Sequence, residues 1–108
     1  MALLEPAVSE CIAATCLVMI HEAMSDAIEM GVPEPAARDF MLGHLHIALG
    51  IVFGTVDADF SDGCKVAIDR AKHAMFKPGW KDVLQPEKLA EEIEAITHFD
   101  TVPVVMAR

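Results

Sequence analysis

Two apolar runs separated by Gly31, Pro33 and Pro35 constrain this chain more than any other feature, because they ask residues 6–53 to form a helical hairpin. Glycine takes the left-handed conformation that ends helices, and proline suits a first turn, where its missing N–H would have had no acceptor. The pattern predicts one helix over residues 6–30, opened by Pro6 and closed by Gly31, and a second over residues 35–53. Counted outward from the turn at about 1.5 Å per residue, His21 and Glu22 fall as far along one arm as Gly43 and His44 along the other. On that geometry a carboxylate and imidazoles can meet between the arms.

The stretch CIAATCLVMI, residues 11–20, carries no charge, yet it is only half the roughly 20 apolar residues that a bilayer span requires. It reads as a buried helix rather than a membrane segment. Being apolar on all sides, it must be surrounded, and three short companion helices can hardly enclose it. The chain is 54% hydrophobic with a mean hydropathy of +0.39, whereas a lone domain of this size covers only about two-thirds of its unfolded surface. A second copy is the simplest cover, so a homodimer through the first two helices is expected. Gly43 and Gly50 lie seven apart on the same helical face as Asp39 and His46. Glycine costs about 1 kcal/mol per interior helical position, so such a stripe calls for the close approach of another backbone or a ligand.

The rest of the chain extends the all-α pattern. Residues 55–60 read as a polar turn, after which Ser61 caps a third helix with Asp62 in its first turn and Cys64, Ile68, Ala71 and Met75 as its apolar stripe. FKPGWKDVL, residues 76–84, reads as a loop that anchors Trp80 on the core. Pro86 opens a fourth helix, with Leu89, Ile93 and Ile96 on its buried side and Glu87, Glu91 and Glu94 facing solvent. The final VPVVM could pair as an edge strand or wrap a partner. The expected architecture is therefore a single all-helical domain over residues 1–108, with four main helices and a long central hairpin.

Charge and cysteine usage exclude several roles. The formal net charge is −9, and Arg38 is the sole Lys or Arg in the first 60 residues, so no basic stripe is available to displace counterions from nucleic acid. Cys11, Cys16 and Cys64 form no CxxC pair and leave an odd count; they read as reduced, buried thiols of a cytoplasmic protein. The N-terminus carries Glu5 and Glu10 where an export signal would carry Lys or Arg. Neither membrane nor nucleic acid is an expected partner.

Glu22, Asp26, Asp39, His21, His44 and His46 crowd into the hairpin, and oxygen with imidazole ligands suits zinc, manganese or magnesium. Glu22 and Asp26, four apart, stack two carboxylates on one face, which costs repulsion unless a cation comes. His44 and His46, two apart, diverge by about 200°, so only one of them can serve a given site. Glu22 and His44 are the expected metal ligands; the bland alternative is that they form a core or interface hydrogen bond, since buried polar groups need partners in any case. His21, Asp39 and His46 would then contact substrate or support the ligands, with Arg38 the one nearby cation for an acid substrate. The chain holds no GxGxxG, no GxxxxGK[ST] and no GxSxG, and no cysteine stands near a plausible histidine base, so no catalytic residue is assigned and catalysis by this chain alone is not expected.

EAMSDAIEMGVPEPAARDFMLGHLHIALGIVFG, followed by FSDGCKVAIDRAK, FKPGWKDV and PEKLAEEI, resembles the C-terminal domain of the phosphogluconate-dehydrogenase-like oxidoreductases over about residues 11–96. Gly31 to Pro33, Ala37-Arg38-Asp39-Phe40, Gly43-His44 and Phe60-Ser61-Asp62-Gly63 carry the likeness. Within that group it is most similar to NAD-dependent sugar-acid enzymes related to D-apionate oxidoisomerase. The resemblance implies a helical domain that dimerises and helps close a substrate cleft, with NAD held by a separate Rossmann domain that this sequence does not contain. It also implies a divalent metal, as in related reductoisomerases, where such ions polarise a carbonyl and hydroxyl. The broader hydroxyacid dehydrogenases place a catalytic lysine on the first helix of this domain, whereas no lysine precedes Lys65 here. The competing expectation is a non-enzymatic helical interaction module whose polar cluster only fixes helix register.

Overall fold

In the computed structural model, which describes residues 3–98, every regular element is helical. A π-wound segment, Leu3–Ala14, runs on into helix α1, Thr15–Glu29; there follow α2, Glu34–Phe53, α3, Asp62–Met75, a 3-10 segment, Pro78–Leu84, and α4, Pro86–Thr97. The sequence punctuation explains these limits. Gly31 sits at φ +115°, and the turn closes through N–H donations from Gly31 to the Ile28 carbonyl at 3.0 Å and from Val32 to the Ala27 carbonyl at 3.2 Å. Pro33 caps α2 in an extended conformation, and its carbonyl accepts the Ala37 N–H at 3.0 Å.

Gly54 ends α2 at φ +73°, and the chain turns back so that the Thr55 and Val56 N–H groups both donate to the Gly50 carbonyl. Gly50 is thereby explained within the chain, since a methyl group there would lie 3.1 Å from a Val56 methyl. Ser61 caps α3 as expected, its hydroxyl accepting the Cys64 N–H at 3.1 Å. Asp59 braces the approach to that cap: its carboxylate accepts the Phe60 N–H at 2.8 Å and pairs with Lys65 at 2.6 Å, which together hold its pKa below the ordinary value. Pro86 opens α4, with Gln85 as its cap.

The described residues up to Ala23 together with those from Pro78 onward form one compact unit, and Met24–Lys77 forms a second. In the first unit, the Leu3–Ala14 segment, the 3-10 segment and α4 pack against one another around Ala7, Val83 and Leu89, with Cys11 and Ile12 at the edge of that core. Ala7 is fully buried because three elements converge on it and only a methyl group fits. In the second unit the buried residues are Ala37 and Gly50, and among the described residues α2 and α3 share no extended packing face.

Several expectations are revised. Residues 11–20 do form helix, but the chain does not bury them: α1 has no buried residue, and Leu17 and Met19 are each 56% exposed. The apolar stretch is also longer than residues 11–20 implied, because π-wound and α-helical turns join into one rod, Leu3–Glu29, of 27 residues; by length and composition alone this rod and Glu34–Phe53 could each cross a bilayer. The three cysteines are free but half-buried rather than buried. Residues 78–84 wind into 3-10 helix instead of a loop. On α4 only Leu89 is buried, while Ile93 and Ile96 stay more than a third exposed. On α3, Ile68 and Met75 face outward for want of a covering element. Gly43 has open space above it, so none of the described residues makes the close approach its glycine invites. VPVVM lies outside the described residues.

Candidate functional site

The polar residues of the hairpin divide between the two units. His21 and Glu22 stand on the part of α1 that belongs to the first, and Arg38, Asp39, His44 and His46 stand on α2 in the second. His21 is half-buried; Glu22, Asp39, His44 and His46 are exposed. Among the described residues no three His, Cys, Asp or Glu side chains gather closely enough to hold a metal ion by themselves. Any cation bound here would need ligands beyond the chain's own cluster, from water, substrate or another polypeptide.

His44 is held by two contacts on its own helix. Its Nδ1–H donates to the Phe40 carbonyl at 2.9 Å, one turn back on α2, and its ring stacks on the Phe40 ring with centroids 3.9 Å apart and planes 23° apart. A carbonyl oxygen only accepts, so the neutral imidazole carries its proton on Nδ1 and keeps a lone pair at Nε2. That is the form of histidine that ligates metals or accepts protons. Arg38 is engaged with Glu34, its Nη2 donating to Oε1 at 3.1 Å across one helical turn. Both side chains remain more than half exposed, so the pair is worth well under 1 kcal/mol and a competing carboxylate can displace Glu34.

A second feature went unread in the sequence. In the first unit Cys11, Ile12, Thr15, Trp80, Val83, Lys88 and Glu92 line a cavity of about 290 Å³. Partial burial pushes the Cys11 thiol pKa up, and the carboxylates of Glu92 and Glu10 push it further against the weaker pull of Lys88. Lys88 is held charged by Glu92 at 3.2 Å and Glu91 at 3.3 Å. No spacing signal could have joined these residues, because the cavity is assembled from ends of the chain some 70 positions apart. The Phe40–His44 pair, by contrast, was visible as an i, i+4 aromatic spacing.

The architecture is all-helical among the described residues, with a Gly31 turn and polar side chains exposed on α2. The chain belongs to the phosphogluconate dehydrogenase (decarboxylating) C-terminal family, whose model matches residues 1–97. It is 43% identical over 97 residues to D-apionate oxidoisomerase of Rhizobium rhizogenes and 44% identical over 97 residues to that of Cupriavidus necator, covering 90% of this chain and 35% of each relative. A solved semialdehyde dehydrogenase NAD-binding protein from Cupriavidus necator, in complex with calcium and NAD, superposes with a TM-score of 0.85 at 44% identity, over 89% of this chain and 35% of that one. The chain thus spans about a third of the length of these relatives.

Proposed function

We propose that this chain acts as the helical C-terminal domain of an NAD-dependent sugar-acid oxidoreductase of the cytoplasm, in which it dimerises and forms one wall of a substrate and metal cleft. The observation that carries the reading is the 44% identity across nearly the whole chain to a protein solved with calcium and NAD. NAD would be held by a separate dinucleotide-binding domain, since no glycine-rich phosphate loop occurs in this sequence.

Glu22 in the first unit and His44 in the second are each proposed as a ligand to a divalent cation, with the remaining ligands from outside the clusters of the described residues. The donor chemistry fits, because Glu22 offers a carboxylate and His44 a lone pair at Nε2 set by its bond to the Phe40 carbonyl. Calcium prefers oxygen ligands, whereas an imidazole favours zinc or manganese, so the ligand pair itself argues for a transition metal over calcium. When bound, such an ion supplies Lewis-acid polarisation of a substrate carbonyl or hydroxyl. The chain's own residues orient the substrate: Arg38 exchanges Glu34 for the substrate carboxylate, and His21, Asp39 and His46 offer hydrogen bonds to its hydroxyls.

Titration of zinc, manganese, magnesium and calcium into the protein, read by heat and by thermal melting, tests the ligand pair. Glu22→Ala and His44→Ala are each expected to remove a saturable binding event that the wild type shows. Indistinguishable curves for wild type and both variants would overturn it. A second reading, a helical interaction module without a catalytic role, draws on the exposed apolar faces of α1 and α2. Light scattering separates the two: the enzyme-domain reading requires a stable dimer, and the module reading a monomer or a loose, concentration-dependent association.

A further inference from the structure

On α2, Asp39, Gly43 and His46 follow one another at steps of four and three residues, so they share one narrow stripe of the helix. Asp39 and His46 are exposed, and Gly43 between them has open space above it. Seven positions put the two side chains about 10 Å apart along the axis, too far to meet on their own helix. Leu42, Leu49 and Phe53 flank the stripe on one side and Phe40 and Ile47 on the other, all more than half exposed. Together these five offer on the order of 500 Å² of apolar surface per copy, well over half of the roughly 800 Å² that a stable interface takes from each partner.

The charges on the stripe select what can lie on it, because a carboxylate stands at one end and an imidazole at the other. A second α2 laid parallel would bring Asp39 against Asp39 and His46 against His46. Laid antiparallel about a two-fold axis midway between residues 42 and 43, it brings Asp39 of each copy level with His46 of the other, each about 5 Å from the axis. The absent side chain at Gly43 lets the two backbones approach at that crossing. We infer that α2 of a second copy occupies this stripe, antiparallel across Gly43, with two reciprocal Asp39–His46 pairs that set register and orientation. This rests on the reading of the chain as a dimer given above and names the surface through which it dimerises. The apolar flanks supply the affinity, and the polar pairs exclude the wrong alignment. Each pair uses one carboxylate oxygen and one imidazole nitrogen, which leaves the second oxygen and second nitrogen to the substrate hydroxyls.

Charge reversal tests the pairing, read as the monomer–dimer dissociation constant by sedimentation equilibrium at neutral pH. Asp39→Lys sets an ammonium against His46, and His46→Glu sets two carboxylates together. Each variant alone carries two mismatched pairs and should dissociate about a hundredfold more readily than the wild type. Mixed one to one, the variants regain complementarity at both pairs, the two introduced charges meeting each other and the untouched His46 meeting the untouched Asp39. The mixture should therefore dimerise to within about tenfold of the wild type. Should a reversal unfold the chain by circular dichroism, Asp39→Asn and His46→Gln, which change shape little, carry the test: each is expected to weaken the dimer about tenfold, and an unchanged constant overturns the pairing. A wild-type dimer that neither reversal weakens, or a mixture no tighter than either variant alone, overturns the inference while the dimer reading stands. A wild type that stays monomeric, or assembles only with a different protein, overturns both.

Discussion

Leu89→Ala tests where this chain keeps its core. Leu89 is 9% exposed and packs with Ala7 and Val83, with Ile12 alongside. The substitution deletes three carbons; at about 0.8 kcal/mol each, scaled by the nine-tenths that is buried, the transfer loss is about 2.2 kcal/mol. The cavity left behind raises this toward 3 kcal/mol, because three packed elements cannot collapse freely onto it. With a urea m-value of about 1–3 kcal/mol/M, the midpoint should fall by about 1 M or more. Trp80, the single tryptophan, lies with Val83 on the wall of the neighbouring cavity, so its fluorescence reports on this unit. The matched control is Leu17→Ala on α1, where the same carbons are deleted from a side chain 56% exposed. In a solitary chain the control should cost less than half as much. A Leu89→Ala midpoint unchanged within error would refute the packing argument. A Leu17→Ala loss as large as that of Leu89→Ala, growing at low protein concentration, is the result expected if a second copy covers α1.

Three further outcomes are expected. Ser61→Ala removes the hydroxyl that accepts the Cys64 N–H and should cost about 1 kcal/mol in urea unfolding followed by far-ultraviolet circular dichroism. At Gly54, where φ is +73° and an added methyl group would meet nothing, the penalty of Gly54→Ala is purely backbone strain of about 1 kcal/mol, and Gly54→Asn should recover part of it because Asn tolerates the left-handed region. Cys11, its pKa raised by burial and by Glu92 and Glu10, holds its proton to higher pH than an ordinary thiol. Its contribution to stability is therefore intact below the ordinary thiol value and is lost as pH rises through the folded one. Alkylation of Cys11, followed by peptide mass spectrometry, should be slower near pH 8.5 than that of a free thiol and should accelerate in Glu92→Gln; no change in that variant would remove Glu92 as a cause.

The readable part of the fold was its punctuation. Gly31, Pro33, Ser61 and Pro86 act through local backbone chemistry, and each does in the structure what its residue type dictates. What could not be read is which apolar face meets which. Leu89 and Ile93 are equivalent in periodicity, yet only Leu89 is buried, because the choice depends on where the Leu3–Ala14 and Pro78–Leu84 segments cross α4. The 3-10 winding of Pro78–Leu84 was hidden for the same reason, since Pro78 and Gly79 signal a loop as well as they signal a tight helix. At the candidate site the residue types were readable and the partners were not. Arg38 promised a cation for substrate, and the structure adds that Glu34 occupies it at rest.

The two units differ in a way that bears on partner binding. The first has three elements around a shared core and can hold its own helices. The second has caps and turns but almost no tertiary burial, and α2, at 20 residues, exposes Phe40, Leu42, Ile47, Leu49, Val52 and Phe53 at once. Isolated helices of this length are marginal in water even when built from strong helix formers, and most helical stability in proteins comes from packing an apolar face. Gly43 in the middle of α2 makes matters worse by about 1 kcal/mol relative to alanine, with none of the described residues using the space it leaves. If a second copy covers α2, as proposed, the open space at Gly43 is where its backbone can come closest. Because His44 is the next residue, the surface that stabilises α2 and the surface proposed to bind cation adjoin, so occupancy of one and ordering of the other are expected to be thermodynamically linked.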